Sequence, residues 1–374
     1  MDKHKPINIL YITCKSDLTR GGQRSLLQLV ERLDRDKFSP TVIVPQSGKL
    51  SREFYKIGIR IDDVKFPTLT PTKALDIAGV LGRLKNIIDE IKPDVIHADL
   101  PRIAHFAFLV KGRAKLLMHL RVATPDGHSD SLLAYECDRL VAISRAVARR
   151  FLHIPRARDK VSIIYNGIDP EVFRPVTEKI RDEIRNNYEL PVDKILVGFL
   201  AGFVKIKGHD FVLDLWRKVA EKHPNASLVL AGDQPRGEKE RLQRRIVEEN
   251  LTDNVLMIPF VDEPEKLLPA FDIVILPSSE EGFGRIIIEA GACGIPAIGS
   301  DIAGIDEAIR HETTGLLAGV RNTEQWVECF SRLIGDENLR KSMGRKARKL
   351  VEREFSLRTH VQNITEEYRK LAGK

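Results

Sequence analysis

Glu281 and Glu289 enclose seven residues within the run Pro277 to Asp301, PSSEEGFGRIIIEAGACGIPAIGSD. An ionised carboxylate accepts from two hydroxyls at once. Gly282 and Gly284, between them, let the backbone turn sharply and bring its N–H groups close to a ligand. A helix opening near Gly284 directs unpaired N–H groups and a positive dipole end at the same spot, which favours an anion such as phosphate. Two carboxylates beside an anion site suit a phosphate attached to a sugar with several hydroxyls. A plainer account uses the same residues: glutamates near a helix N-terminus stabilise its dipole with no ligand at all.

Three further groups are placed for similar chemistry. Gly21 and Gly22 sit just before the helix SLLQLVERL, either as a second anion site or as a tight strand-to-helix turn. His97 ends the strand DVIHAD, and His119 and Arg121 end LLMHLR; carboxyl ends of parallel strands face the ligand crevice. Lys205 and Lys207 occupy a loop before Gly208, where the next helix starts. Asp34-Arg35-Asp36 has metal-ligand spacing, but it follows a helix end rather than a buried strand. It reads as a solvated turn, and no metal is expected.

The elements that must position these residues alternate along the whole chain. INILYI (7–12), PTVIVP, SLVLAG, NVLMIPFV and FDIVIL are short, apolar and branched, as buried parallel strands are. Helical patterns separate them, so helices should wrap parallel sheets. With 374 residues the chain should hold two domains, each with its own core. VSIIYNGIDPEVFRP (161–175), punctuated by Asn-Gly, Asp-Pro and Arg-Pro, reads as the connector. The boundaries expected are 1–170 and 171–356, followed by a last helix over 357–374 for which Ser356 is a fair N-cap.

Hydrophobic content of 43%, charge of 30% and a net charge of +7 describe a globular protein with a moderate basic excess. No aromatic-basic interleaving or zinc-finger spacing appears, which argues against nucleic acid. The cysteines 14, 137, 293 and 329 are scattered, pointing to a reducing compartment. No apolar run reaches the length of a signal peptide core or a membrane span. The expected place is the cytoplasm, free or peripheral on the inner face of the cell membrane. Two basic-apolar stretches, PRIAHFAFLVKGRAKL (101–116) and SRAVARRFLHIPRARDK (144–160), are either helices with a solvated basic face or a surface for anionic lipid.

The spacing of the glutamates resembles the E-x7-E signature of the family 4 retaining glycosyltransferases, which have the GT-B architecture. FDIVILPSSEEGFG before it, and EAGACGIPAIGSDIAGIDEAI and TTGLLA after it, extend the match. The resemblance covers nearly the whole chain, most strongly Val197 to Leu317. It implies an α/β fold of two Rossmann-like domains facing a cleft, with the last helix packed back on the N-terminal, acceptor-side domain. It implies transfer of a hexose-type sugar from a UDP- or GDP-linked donor to a hydroxyl, retaining the anomeric configuration, without cofactor or metal. The acceptor would be a lipid-linked glycan or a precursor in polysaccharide biosynthesis. Glu289 would hold the ribose hydroxyls, and Glu281 those of the transferred sugar. Lys207 matches the family's phosphate lysine, His119 its histidine near the donor sugar, and the Gly21-Gly22 loop its cover over the diphosphate. Glu281, His119 and Lys207 are thus the expected catalytic residues. Arg121, Lys205, Gly282, Phe283, Gly284, Arg285 and Ile286 complete the expected donor site, with the base near Phe260 and Val261. The family's arginine position holds Gly202, so its bidentate phosphate fork is missing. The two domains should close on the donor. A nucleotide-sugar epimerase of the same architecture and a binding subunit without turnover are the alternatives.

Overall fold

The computed structural model describes residues 5–18, 21–68, 70–233 and 236–374. The chain divides into two units: residues up to Gly167 with Leu357–Lys374, and Ile168–Ser356. Thr19 and Arg20, in the loop before the Gly-Gly pair, lie outside the described residues.

In the first unit seven parallel strands form one sheet: β1 (Ile7–Ile12), β2 (Phe38–Val44), β3 (Arg60–Asp63), β4 (Val95–Ala98), β5 (Lys115–Leu120), β6 (Arg139–Ala142) and β7 (Val161–Ile163), in the order β3-β2-β1-β4-β5-β6-β7. Connections run outward in both directions from the β1/β4 junction, which is therefore the switch point where an open α/β sheet leaves a crevice. The core joins Ile9, Tyr11, Leu29, Phe38, Val42, Leu117 and Val141 to Ile364 and Tyr368 of the C-terminal helix Leu357–Ala372. That helix closes one face of the sheet, and without it the central strands would expose their side chains.

The second unit repeats the plan with six parallel strands: β8 (Ile195–Leu200), β9 (Ala226–Ala231), β10 (Val255–Ile258), β11 (Ile273–Leu276), β12 (Ala297–Ser300) and β13 (Gly315–Ala318), in the order β10-β9-β8-β11-β12-β13. Its switch point lies between β8 and β11. β9, β11 and β12 are buried along their whole length, as strands covered on both faces must be. Trp216, Trp326 and Phe330 anchor the core on one side of this sheet.

Three local expectations are corrected. Gly21 and Gly22 do not precede a helix but open it, as the first residues of Gly21–Glu31. The stretch 144–160 is not one amphipathic helix. It breaks into Arg145–Ala148 and two single turns, and Arg150 turns inward to pair with buried Asp130 and donate to the Val122 carbonyl at 2.7 Å. In the sharp turn before Glu289 only Gly284 adopts a left-handed conformation (φ 74°), and Gly282 does not. In the other basic stretch, Pro101–Val110 is helical, Phe106 is in the core, and Lys111 and Lys115 both pair with Asp138. Asp34 pairs with Lys37 at 2.6 Å in an exposed turn.

Candidate active site

In the second unit the loops after β8 and β11 leave the sheet on either side of its switch point and are laced together. Ser279 N–H donates to the Ile206 carbonyl at 2.8 Å. Gly208 holds a left-handed turn (φ 83°), and a Cβ there would stand 2.7 Å from the Pro277 oxygen. Lys207 Nζ, carried on the short turn Lys205–Lys207, donates to Glu281 at 2.5 Å. A second pair lies one helical turn further on: Arg285 Nε donates to Glu289 at 2.7 Å across the first turns of the helix Arg285–Ala292. Both pairs are largely removed from water. Each glutamate of the E-x7-E run therefore has its own cation, and the helix start at Arg285 falls between the two glutamates in sequence.

The helix begins where it does because Gly284 caps it in a left-handed conformation. A Cβ at Gly284 would stand 2.9 Å from Ile287 and 3.0 Å from Leu276. Phe283 is buried against Phe355, with ring centroids 5.3 Å apart, and so anchors the turn. Ile286 is half-buried and Lys205 is exposed. Phe260 is 40% exposed beyond β10, with Val261 half-buried beside it. Gly202 is exposed, and its nearest neighbour would lie 3.4 Å from an added Cβ, so the space there does not demand glycine.

In the first unit the sheet register assembles a polar row on one face. Tyr11 of β1 is the partner of His97 of β4, and His97 is the partner of Leu117, two residues before His119. Side chains two apart share a face, so Tyr11, His97 and His119 meet under the C-terminal helix. His97 Nδ1 lies 2.6 Å from the Tyr368 hydroxyl, which is 2.9 Å from that of Tyr11. His97 Nε2 lies 3.2 Å from His119 Nδ1, and Arg121 Nη2 approaches the same nitrogen at 3.4 Å. Guanidinium only donates, so His119 Nδ1 accepts and its proton sits on Nε2. That nitrogen is buried and has no hydrogen-bond partner among the described residues. Burial, reinforced by the Arg121 charge, holds His97 down to about 3 and His119 well below the usual histidine range. Both rings are thus neutral. Arg121 also donates to buried Asn166 at 3.4 Å, and a Cβ on Gly22 would lie 3.2 Å from its side chain.

The structure thus brings Lys207, Glu281, Arg285 and Glu289 together in one unit, and Gly22, His97, His119 and Arg121 in the other. Gly21 is exposed at the start of the helix that Gly22 continues. Sequence reasoning gave no role to Tyr11, Tyr368 or Asn166. The first two look like core aromatics in sequence, and the third sits in an Asn-Gly turn. Only the register and the returning C-terminal helix reveal their partners.

Two Rossmann-like units of parallel strands, one with paired carboxylates and cations at its switch point, are the parts of the GT-B architecture. Residues 19–172 match the family model described as Glycosyltransferase Family 4, and residues 180–350 that of Glycosyl transferases group 1. The chain belongs to this family. It is 28% identical over 220 residues to N-acetyl-alpha-D-glucosaminyl L-malate synthase of Bacillus anthracis, a match spanning 59% of this chain and 56% of that protein. The chain thus spans little more than half the length of this curated relative. Among solved structures it resembles a glycosyltransferase from Rickettsia africae (TM-score 0.87, 22% identity, 98% and 99% of the two chains). It also resembles Anabaena HepE in complex with UDP and glucose (TM-score 0.83, 20% identity, 96% and 99%).

Proposed function

We propose that the chain is a retaining hexosyltransferase that moves a hexose from UDP or GDP to a hydroxyl of a glycan or lipid-linked acceptor. The observation that carries this reading is the pairing of each E-x7-E carboxylate with its own cation at the switch point of the second sheet. Glu289 would accept from the ribose hydroxyls, held in place by Arg285. Glu281 would accept from hydroxyls of the transferred sugar, held by Lys207. Phe260 and Val261 would border the base. The UDP and glucose bound by Anabaena HepE support a UDP-linked donor.

The chemistry follows from where charge develops. As the bond between the anomeric carbon and the β-phosphate oxygen breaks, its electron pair stays on the phosphate. Lys207 and the amides at Gly284–Arg285 stabilise that charge. The acceptor oxygen bonds to the anomeric carbon from the face the phosphate leaves, and its proton passes to the departing phosphate. This route needs no nucleophilic side chain. In the first unit, Arg121 would supply a cation for an anionic group, the start of the Gly21–Glu31 helix its N–H groups, and His119 Nε2–H a hydrogen-bond donor.

A panel of nucleotide sugars incubated with the protein and candidate acceptors tests the proposal. Nucleoside diphosphate released with a glycosylated acceptor of unchanged anomeric configuration is the expected result. A changed sugar still bound to nucleotide would mark an epimerase instead, and binding without turnover a binding subunit.

A further inference from the structure

The first unit carries a second polar site that none of these roles uses. A cavity of about 250 Å³ opens at the carboxyl edge of its sheet, lined by loops that follow β1, β2 and β3 and by the start of the helix after β4. This is beside the β1/β4 switch point, where an α/β sheet leaves room for a ligand. Its walls are fixed in advance. Leu50 N–H donates to the Ser16 carbonyl at 3.0 Å, and Gly48 lies so close that a Cβ would stand 2.4 Å from the same oxygen. Phe66, on the apolar side, is buried against Phe106 with ring centroids 5.4 Å apart.

Lys15, Lys65 and Arg102 line this cavity, and Asp17 is the one carboxylate among the lining residues. Neither Lys15, Lys65 nor Arg102 forms an ion pair among the described residues, and Arg102 Nε is buried there without a hydrogen-bond partner. Three cations around one open cavity, against the single carboxylate of Asp17, favour an anion more than cations scattered singly over a surface do. The volume is below the roughly 300–1,000 Å³ of pockets for drug-sized ligands and suits a single small group.

We infer that this cavity seats an anionic group, a phosphate monoester or a carboxylate, on the sugar acceptor, with Lys15, Lys65 and Arg102 as its ligands. The inference rests on the glycosyltransferase reading for the word acceptor, and on the cavity alone for the anion. The phosphate has two sources, a soluble sugar or polyol phosphate and a lipid headgroup.

The test uses the full chain and its Lys65→Ala/Arg102→Ala variant. Both are titrated with glycerol 3-phosphate, with glycerol, and with vesicles with and without phosphatidic acid. UDP is titrated into the same samples to report folding and the donor site separately. Binding of glycerol 3-phosphate but not glycerol is expected, weakened about ten- to a hundred-fold in the variant, with UDP affinity unchanged. Vesicle binding that glycerol 3-phosphate displaces would assign the phosphate to a lipid. Soluble binding without vesicle binding would assign it to a small acceptor. Equal affinity of both proteins for glycerol 3-phosphate, or no phosphate binding in either form, would overturn the inference. A wild-type protein that binds phosphate but not UDP would leave this site standing and remove the donor reading.

Discussion

Glu281 and Glu289 look alike in sequence and in their pairing with a cation, yet the proposal gives them different partners. Glu289 would touch the ribose, which donor and product share. Glu289→Ala should therefore weaken UDP and intact donor alike, as loss of uniform binding. Glu281 would touch only the transferred sugar. Glu281→Ala should lower kcat while UDP affinity changes little. A hydrogen bond to a charged group is worth about 1.5–3 kcal/mol, so each defect should be about ten- to a hundred-fold. Calorimetry with UDP beside donor kinetics decides between them. If Glu281→Ala weakens UDP binding as much as Glu289→Ala does, the assigned roles are wrong. If neither variant loses activity, the glutamates serve only as helix-end charges.

At the scale of elements, the C-terminal helix Leu357–Ala372 does more than cover the sheet. Through Tyr368 it supplies the hydroxyl 2.6 Å from His97, and His97 lies 3.2 Å from the His119 nitrogen that accepts from Arg121. Tyr368→Phe should keep the packing of the ring and lose only the hydroxyl, at a cost of about 1–3 kcal/mol for the buried group left unpaired. His97, left without this partner, should show a change in its ring 15N shifts, and kcat should fall with donor affinity retained. Unchanged 15N shifts would reduce the row to a packing device. The turn before the Arg285–Ala292 helix is equally specific. Gly284→Ala forces a side chain onto φ 74° and against Ile287 and Leu276. It should destabilise the second unit by about 1–3 kcal/mol, measured by urea unfolding.

Across the whole molecule, buried neutral histidines set the response to acid. His97 and His119 lie in the first unit, and His209, stacked on Phe199, lies in the second and is held down to about 4, chiefly by burial. All three are lowered in the folded state from an unfolded value of about 6.5. Above that value neither state binds the protons and stability does not depend on these groups. As pH falls below it, the unfolded chain takes up protons that the folded chain refuses, so stability drops. Each histidine should remove about 1.4 kcal/mol per pH unit down to its folded value. Urea midpoints should be level above pH 7 and decline steadily between pH 6 and 4. His209→Phe should flatten the decline, since it keeps the aromatic stack and removes the titration. A decline unchanged by this substitution would place the acid sensitivity elsewhere. Turnover should also survive a chelator, because in the proposed mechanism Lys207 and helix amides take the charge that a divalent metal would otherwise carry. Activity lost in chelator and restored by magnesium or manganese would contradict that part of the mechanism.

By itself the sequence determined the alternation of apolar strands and helices, and with it two parallel sheets. Short branched runs such as Ile273–Leu276 tolerate little else than a strand covered on both faces. It also placed Glu281 and Lys207 in loops at strand ends, and Glu289 inside the helix that follows, because glycine and proline punctuation is local. What only the tertiary structure decided is which side chains meet. Lys207 and Glu281 are 74 positions apart and pair because the β8 and β11 strands are neighbours in the sheet. Tyr368 reaches His97 across 271 positions because the last helix returns to the first unit. The basic stretch 144–160 looked amphipathic because charge and apolarity alternate in it, but Arg150 found a buried carboxylate and the helix broke. Lys15, Lys65 and Arg102 carry no motif at all, and their convergence on one cavity follows only from strand order. Local propensity is written in adjacent residues, whereas partners across a sheet are chosen by register and strand order, which no single stretch of sequence contains.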